Sequence, residues 1–286
     1  MPMWEPERVV REISEGSIFQ HLGEPCRTEL KAVPREELAG AVAAVLRRPQ
    51  PRHMPYARFV ADAVYAAQYY EVFGALDLPH PLTIYEPCVG GSDPVILAAE
   101  AYSNGQAHYV TVNLNRPLRE ELQRKISHLN LSARIIDDNA QQTLTHLEPN
   151  RFDVACFHHA INDILQTAVS EPRGMDTTTV DWWPNERRMI EWLAEDFAAG
   201  RIEERGKPEL LEIIGNAVEL VRSGGTLVFD HWTGLAHRDQ DWFPWELFCD
   251  LVPMTRRWIA ESDLPVSEVK LPNVDPQWWM FLRVEE

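Results

Sequence analysis

The chain has 286 residues, 45% of them hydrophobic and ten of them tryptophan, enough for one large domain or one domain with a substantial cap. Acidic residues outnumber basic ones, 44 to 27, for a formal net charge of −17. That sets nucleic acid well behind small molecules, because affinity for a phosphate backbone comes largely from Lys and Arg.

No apolar run approaches the ~20 residues that span a bilayer. The opening Met1-Pro2-Met3-Trp4-Glu5 lacks the basic-then-apolar order of a secretory leader. A cytoplasmic protein without a membrane partner is expected. Cys26, Cys88, Cys156 and Cys249 are scattered with no C-x-x-C pair, so reduced, mostly buried thiols are expected rather than a zinc cage.

In chain order, residues 1–80 read as a helical cap or lid, ahead of a main domain over 81–286. Leu38, Ala41, Val42, Val45 and Leu46 share one helix face after Pro34. A proline-rich stretch from Pro49 to Pro55 breaks that helix. The next carries Phe59, Val60, Ala63, Val64, Ala67 and Tyr70 and stops near Gly74. From Leu82 short apolar runs alternate with helical stretches: LTIYEP, HYVTVNL, ARIID, FDVACF and GTLVFD. This predicts an α/β fold, a doubly wound, mostly parallel seven-stranded sheet with helices on both faces. The segment Glu171–Lys207 is too long for a connection and reads as an insertion, within about 170–208, with a helix near Ile190–Phe197. Val266–Leu271 and Trp278–Val284 read as a closing antiparallel hairpin at one sheet edge.

Ligands of such sheets bind beyond the carboxyl ends of the strands, and the informative residues sit there. The first strand runs into Glu86-Pro87-Cys88-Val89-Gly90-Gly91-Ser92-Asp93. Adjacent glycines let backbone approach a ligand closely. The G-x-G-x-x-G of a dinucleotide site and the Gly-Lys-Ser/Thr of a P-loop are both absent. An acid opening the turn would repel a pyrophosphate but suits an ammonium group. The second strand ends in Asn113-Leu114, the third in Asp137-Asp138-Asn139-Ala140, and the fourth in His158-His159. Leu220-Val221-Arg222-Ser223-Gly224-Gly225 precedes the fifth.

Taken together, residues 80 to 286 resemble the class I S-adenosylmethionine-dependent methyltransferases, whose first motif is an acid followed by a glycine-rich turn. The resemblance implies S-adenosylmethionine as cofactor, with S-adenosylhomocysteine as product. It implies cofactor contacts from Glu86, Gly90, Gly91, Ser92, Asn113, Leu114, Asp138, Asn139, Ala140 and His158. Two departures stand out: Cys88 occupies a place usually held by glycine, and Asn113 the place of an acid that grips both ribose hydroxyls. The amide forfeits charge assistance of about 1 kcal/mol. Asp137 and Asp138 either reach the cofactor or solvate a loop.

Methyl transfer to a protonated acceptor calls for a base, and His158, His159 and His231 are the catalytic candidates, with Asn162, Asp163 and Asp230 nearby in sequence. Neighbouring residues leaving a strand point oppositely, so one of His158 and His159 is expected to face substrate. No ligand spacing supports a metal among them, and none is expected. Tyr56, Tyr69, Trp182, Trp183 and Trp232 are the candidate substrate wall, implying a small aromatic or hydrophobic molecule. The Pro-Pro-aromatic and Pro-Cys signatures of nucleic-acid methyltransferases are missing after the fourth strand. The alternatives are an aminopropyl-type transferase on a similar fold and a non-catalytic member that binds cofactor or partner.

Overall fold

The seven expected strands form in the computed structural model, which describes residues 4–46, 57–231, 241–272 and 274–286. They are β1 (Thr83–Pro87), β2 (His108–Val112), β3 (Ser132–Ile136), β4 (Phe152–His158), β5 (Val221–Asp230), β6 (Val266–Val269) and β7 (Trp279–Val284). They make one sheet in the order β3-β2-β1-β4-β5-β7-β6. Strands β1 to β5 pair in parallel, while β7 runs antiparallel to both β5 and β6. The sheet is therefore mixed, with one reversed strand, and the closing hairpin lies at its edge.

Alternation along each strand builds two cores. Ile84, Tyr109, Val154, Cys156, Val228 and Phe281 face α5 (Ala57–Ala75), α6 (Pro94–Ser103) and α7 (Arg116–Ile126) through Tyr69, Phe73, Val95, Ile96 and Leu122. Tyr85, Ala155, Phe157, Leu227, Phe229 and Leu282 face α8 (Ala160–Ser170), α10 (Ile202–Leu220) and α11 (Trp245–Ala260). Phe157 and Phe229 stack with centroids 4.4 Å apart. Burying each ring fully contributes about 1.5–3 kcal/mol.

At the N-terminus, α1 (Pro6–Ser14), α2 (Ser17–His21), α3 (Glu24–Ala32) and α4 (Arg35–Leu46) share a third core with α5, and with Leu97 and Ala101 of α6. Tyr70 and Leu129 touch both this cluster and the sheet's own. The insertion holds α9 (Trp182–Ala198) and is knotted by Asp196, whose buried carboxylate accepts hydrogen bonds from Arg173, Arg201 and Arg205. Gly224 and Gly225, expected as a turn before the fifth strand, instead form a bulge inside β5, where pairing skips from Phe152–Val221 to Val154–Thr226. A Cβ on Gly225 would stand 2.8 Å from the Asp153 carbonyl oxygen. All four cysteines are free; Cys156 is fully buried and the other three are partly buried.

Candidate active site

The turn after β1 explains the odd cysteine. Cys88 and Gly90 both have left-handed backbone, φ 56° and 60°, a region glycine occupies without steric cost. Gly91 serves packing: a Cβ there would meet the Glu121 carboxyl of α7 at 2.9 Å. Asn113 ties the second strand end to this turn. Its Nδ2 donates to the Gly90 carbonyl at 2.8 Å, and its Oδ1 accepts from the Asn115 amide at 3.3 Å. Both ends of the amide expected to serve ribose hydroxyls are thus engaged with backbone. Asn115 caps α7 by accepting from the Leu118 amide, and its Nδ2 holds the insertion by donating to the Thr177 and Val180 carbonyls.

Of the expected cofactor residues, Gly90, Asn113, Leu114, Asn139 and Ala140 line one cleft beyond the strand ends. The others lie outside it. Glu86 is buried behind the turn, where Tyr109 donates to its Oε2, and burial pushes its pKa well above the carboxylate range. Ser92 closes the turn through its amide, which donates to the Val89 carbonyl. Asp138 accepts from His146 and from the Asn139 amide, contacts that hold its pKa down, while Asp137 pairs with Arg119.

The cleft's own acids are Asp163 and Glu209. Burial, aided by nearby Glu186, raises Asp163 well above the usual carboxylate range. Burial, then Glu171 and Glu212, push Glu209 up to about 7. The Cys88 thiol on the same wall is pushed up to about 12 by burial and by Asp163, which makes it a poor nucleophile. Among the described residues, no Lys or Arg lines this cleft.

A second constellation forms at the ends of β4 and β5. His158 Nδ1 lies 2.8 Å from Asp230 Oδ1, and Tyr69 of α5 donates its hydroxyl to the same oxygen at 2.6 Å. His158, Asp230 and Tyr69 are buried. Alternation predicts His159 on the opposite side, but its backbone is left-handed, φ 55°, and its ring stacks on His158 with centroids 4.4 Å apart. Buried His231 lies 5.4 Å from His159, ring to ring. All three catalytic candidates therefore meet, with Tyr65 packed on the first two. Asp230 partners His158.

The aromatic wall divides. Tyr69 belongs to the histidine cluster. Trp182 lines the cleft of Gly90 and Asn113, and Trp183 is 54% exposed with its Nε1 3.4 Å from Glu121. Tyr56 and Trp232 lie outside the described residues. Sequence reasoning missed Thr167, Glu209 and Ile213 as cleft residues. They sit on helices well removed from the strand ends that carry the recognisable pattern.

No family model matches the chain, and no curated protein does. Among solved structures it is similar to the CurJ carbon methyltransferase at 14% identity, over 98% of this chain and 70% of that one, TM-score 0.48. It is similar to the pyocyanin biosynthetic protein PhzM at 13% identity, over 98% and 72%, TM-score 0.46. A SAM-dependent O-methyltransferase from Thermotoga maritima matches at 9% identity, over 86% and 71%, TM-score 0.42. The sheet itself is more telling: seven strands in the order 3-2-1-4-5-7-6 with only β7 reversed. This is the class I methyltransferase fold.

Proposed function

We propose that the protein transfers the methyl group of S-adenosylmethionine to a small aromatic or hydrophobic acceptor and releases S-adenosylhomocysteine. The observation that carries this reading is the cleft beyond β1, β2 and β3, bent open at Gly90 and bearing two carboxyl groups with no Lys or Arg among its described lining residues. S-adenosylmethionine bears a sulfonium and an ammonium, and either cation beside these carboxyl groups would favour their ionised forms. A dinucleotide would bring its pyrophosphate against Asp163. Gly90, Asn113, Leu114, Asn139 and Ala140 would hold the nucleoside part. Asp163 would take the ammonium, the task the sequence assigns to Glu86. When bound, the cofactor supplies an electrophilic methyl group.

The chain's own contribution is placement and proton removal. In-line positioning of two reactants can supply about 7–11 kcal/mol. With the Asp230 carboxylate as acceptor, His158 carries its proton on Nδ1, which leaves Nε2 basic for the acceptor's proton. A base so held contributes about 10²–10⁴-fold. Tyr69 fixes the carboxylate from the helical side, so the cap over residues 1–80 enters the chemistry through α5.

Calorimetric titration with S-adenosylmethionine, S-adenosylhomocysteine and NADH tests the cofactor. Micromolar binding of both adenosyl ligands is expected, at least tenfold weaker for S-adenosylmethionine in Asp163→Asn. Binding of NADH alone, or of none of the three, would overturn the reading. Tight adenosyl binding without turnover on any acceptor class would favour a non-catalytic member.

A further inference from the structure

His158, His159 and Asp230 each offer one ligand atom within 4.8 Å of the others. We infer that this cluster binds a divalent first-row transition ion such as zinc or cobalt, in competition with the His158–Asp230 hydrogen bond. Two imidazoles and a carboxylate form a donor set suited to such ions. The spacing agrees. Neighbouring ligands on an ion with bonds of about 2.1 Å stand about 3 Å apart, and His158 Nδ1 is 2.8 Å from Asp230 Oδ1. The three ligand atoms lie within 4.8 Å of one another, so loading draws the more distant of them inward.

The backbone supplies an independent argument. Ordinary strand geometry sends successive side chains to opposite faces. His159 instead adopts φ 55°, a left-handed conformation that is strained for a non-glycine residue. What the strain achieves is convergence: the two rings lie 26° from parallel with centroids 4.4 Å apart. Tyr69, donating to the same Asp230 oxygen, orients the carboxylate, as partners of metal-ligating side chains do.

With the ion on Nδ1, the proton that His158 shares with Asp230 moves to Nε2, which takes away the basic lone pair and dissolves the His158–Asp230 hydrogen bond. Ion binding and base action then exclude each other, which makes the cluster a metal-sensitive off-switch for the base proposed above. The ion-binding inference itself rests on the three side chains and stands apart from the identity of the cofactor.

Metal-stripped full-length protein is titrated with Co²⁺, followed by its visible absorption, and with Zn²⁺ by calorimetry. S-adenosylhomocysteine binding is measured in parallel. One ion per chain is expected, weakened at least tenfold in His159→Gly and in Asp230→Asn. Glycine accepts the left-handed backbone, so His159→Gly decides the matter even if Asp230→Asn fails to fold. His146→Ala, which breaks the surface pair with Asp138, should bind as wild type does. No ion in the wild-type protein, or equal affinity in His159→Gly, would overturn the inference. Failure to bind S-adenosylhomocysteine would count against the cofactor reading alone.

Discussion

Replacing Asn113 by Asp installs the acid that the resemblance puts after the second strand, and the structure predicts that it will damage the protein. Asn113 is 4% exposed, with its Nδ2 donating to the Gly90 carbonyl at 2.8 Å. A carboxylate has the same shape but no donor. It loses a hydrogen bond of about 0.5–1.5 kcal/mol and leaves two buried acceptors facing each other, which costs about 1–3 kcal/mol more. The other contact survives, since Oδ1 still accepts from the Asn115 amide. A loss of about 3 kcal/mol is expected, or about 1 M in the urea midpoint at an m-value of about 3 kcal/mol/M. Because Gly90 turns at φ 60° on the cleft wall, S-adenosylhomocysteine affinity should fall tenfold or more, read by calorimetry. If the variant is as stable as wild type and binds the ligand more tightly, the amide does not hold the turn and the reasoning fails.

Three further outcomes follow from the same side chains. Asp196→Asn strands three arginines around a buried amide. Breaking a buried pair typically costs 3–5 kcal/mol, and here about 2–3 is expected because the arginines reach solvent. Those arginines hold the Asp196 pKa low, so its stabilisation is present above about pH 4 and is lost as pH falls further. Urea unfolding at pH 7 and pH 3 should therefore show the variant's deficit shrinking in acid. Glu209 has the opposite sign. Its folded carboxyl is raised to about 7, so stability declines as pH rises from about 4.5 to about 7 and then levels off. Glu209→Gln should match wild type near pH 4 and exceed it near pH 8, and parallel pH profiles would contradict this. Cys88→Gly relieves a left-handed cysteine of roughly 1 kcal/mol at the expense of thiol packing. A change between zero and +1 kcal/mol is expected, and a loss above 1 kcal/mol in thermal unfolding would argue against strain at this position.

The sheet was legible because its strands are short apolar runs bounded by turn residues, a local signal. Helix α11 was not anticipated, although Leu247, Leu251, Met254 and Trp258 keep helical spacing. Pro253 stands in the middle of it and reads as a breaker. The three histidine candidates come together in the structure, but alternation puts His159 on the wrong side. Alternation is a rule for extended backbone, and His159 lies just past the end of β4 in a left-handed turn. Nothing in the letters His158-His159 signals that dihedral.

The acids show a deeper reason why part of the site stayed hidden. An acid at the end of β1 is conspicuous in sequence, yet residue type reports charge only if the side chain meets water or a partner ion. Glu86 meets neither: Tyr109 donates to one oxygen, the other has no hydrogen-bond partner among the described residues, and burial favours the neutral form. The acids that face the cleft come from helices α8 and α10 instead, as Asp163 and Glu209, which stand 46 positions apart; burial raises both, and a cation bound beside them would favour their ionised forms. Their approach depends on those helices packing on one face of the sheet, where Ile164, Ile213 and Ile214 share a core with Phe157 and Phe229. The placement of acids in this cleft is thus a property of helix packing and not of the strand-end motif. The prediction with most at stake follows: Asp163→Asn should cost affinity for the ammonium-bearing cofactor that Glu86→Gln, a buried and nearly isosteric change, should leave within about twofold. If the two variants trade places in a calorimetric titration, the acid at the end of β1 governs binding after all, and the account of Asp163 must be withdrawn.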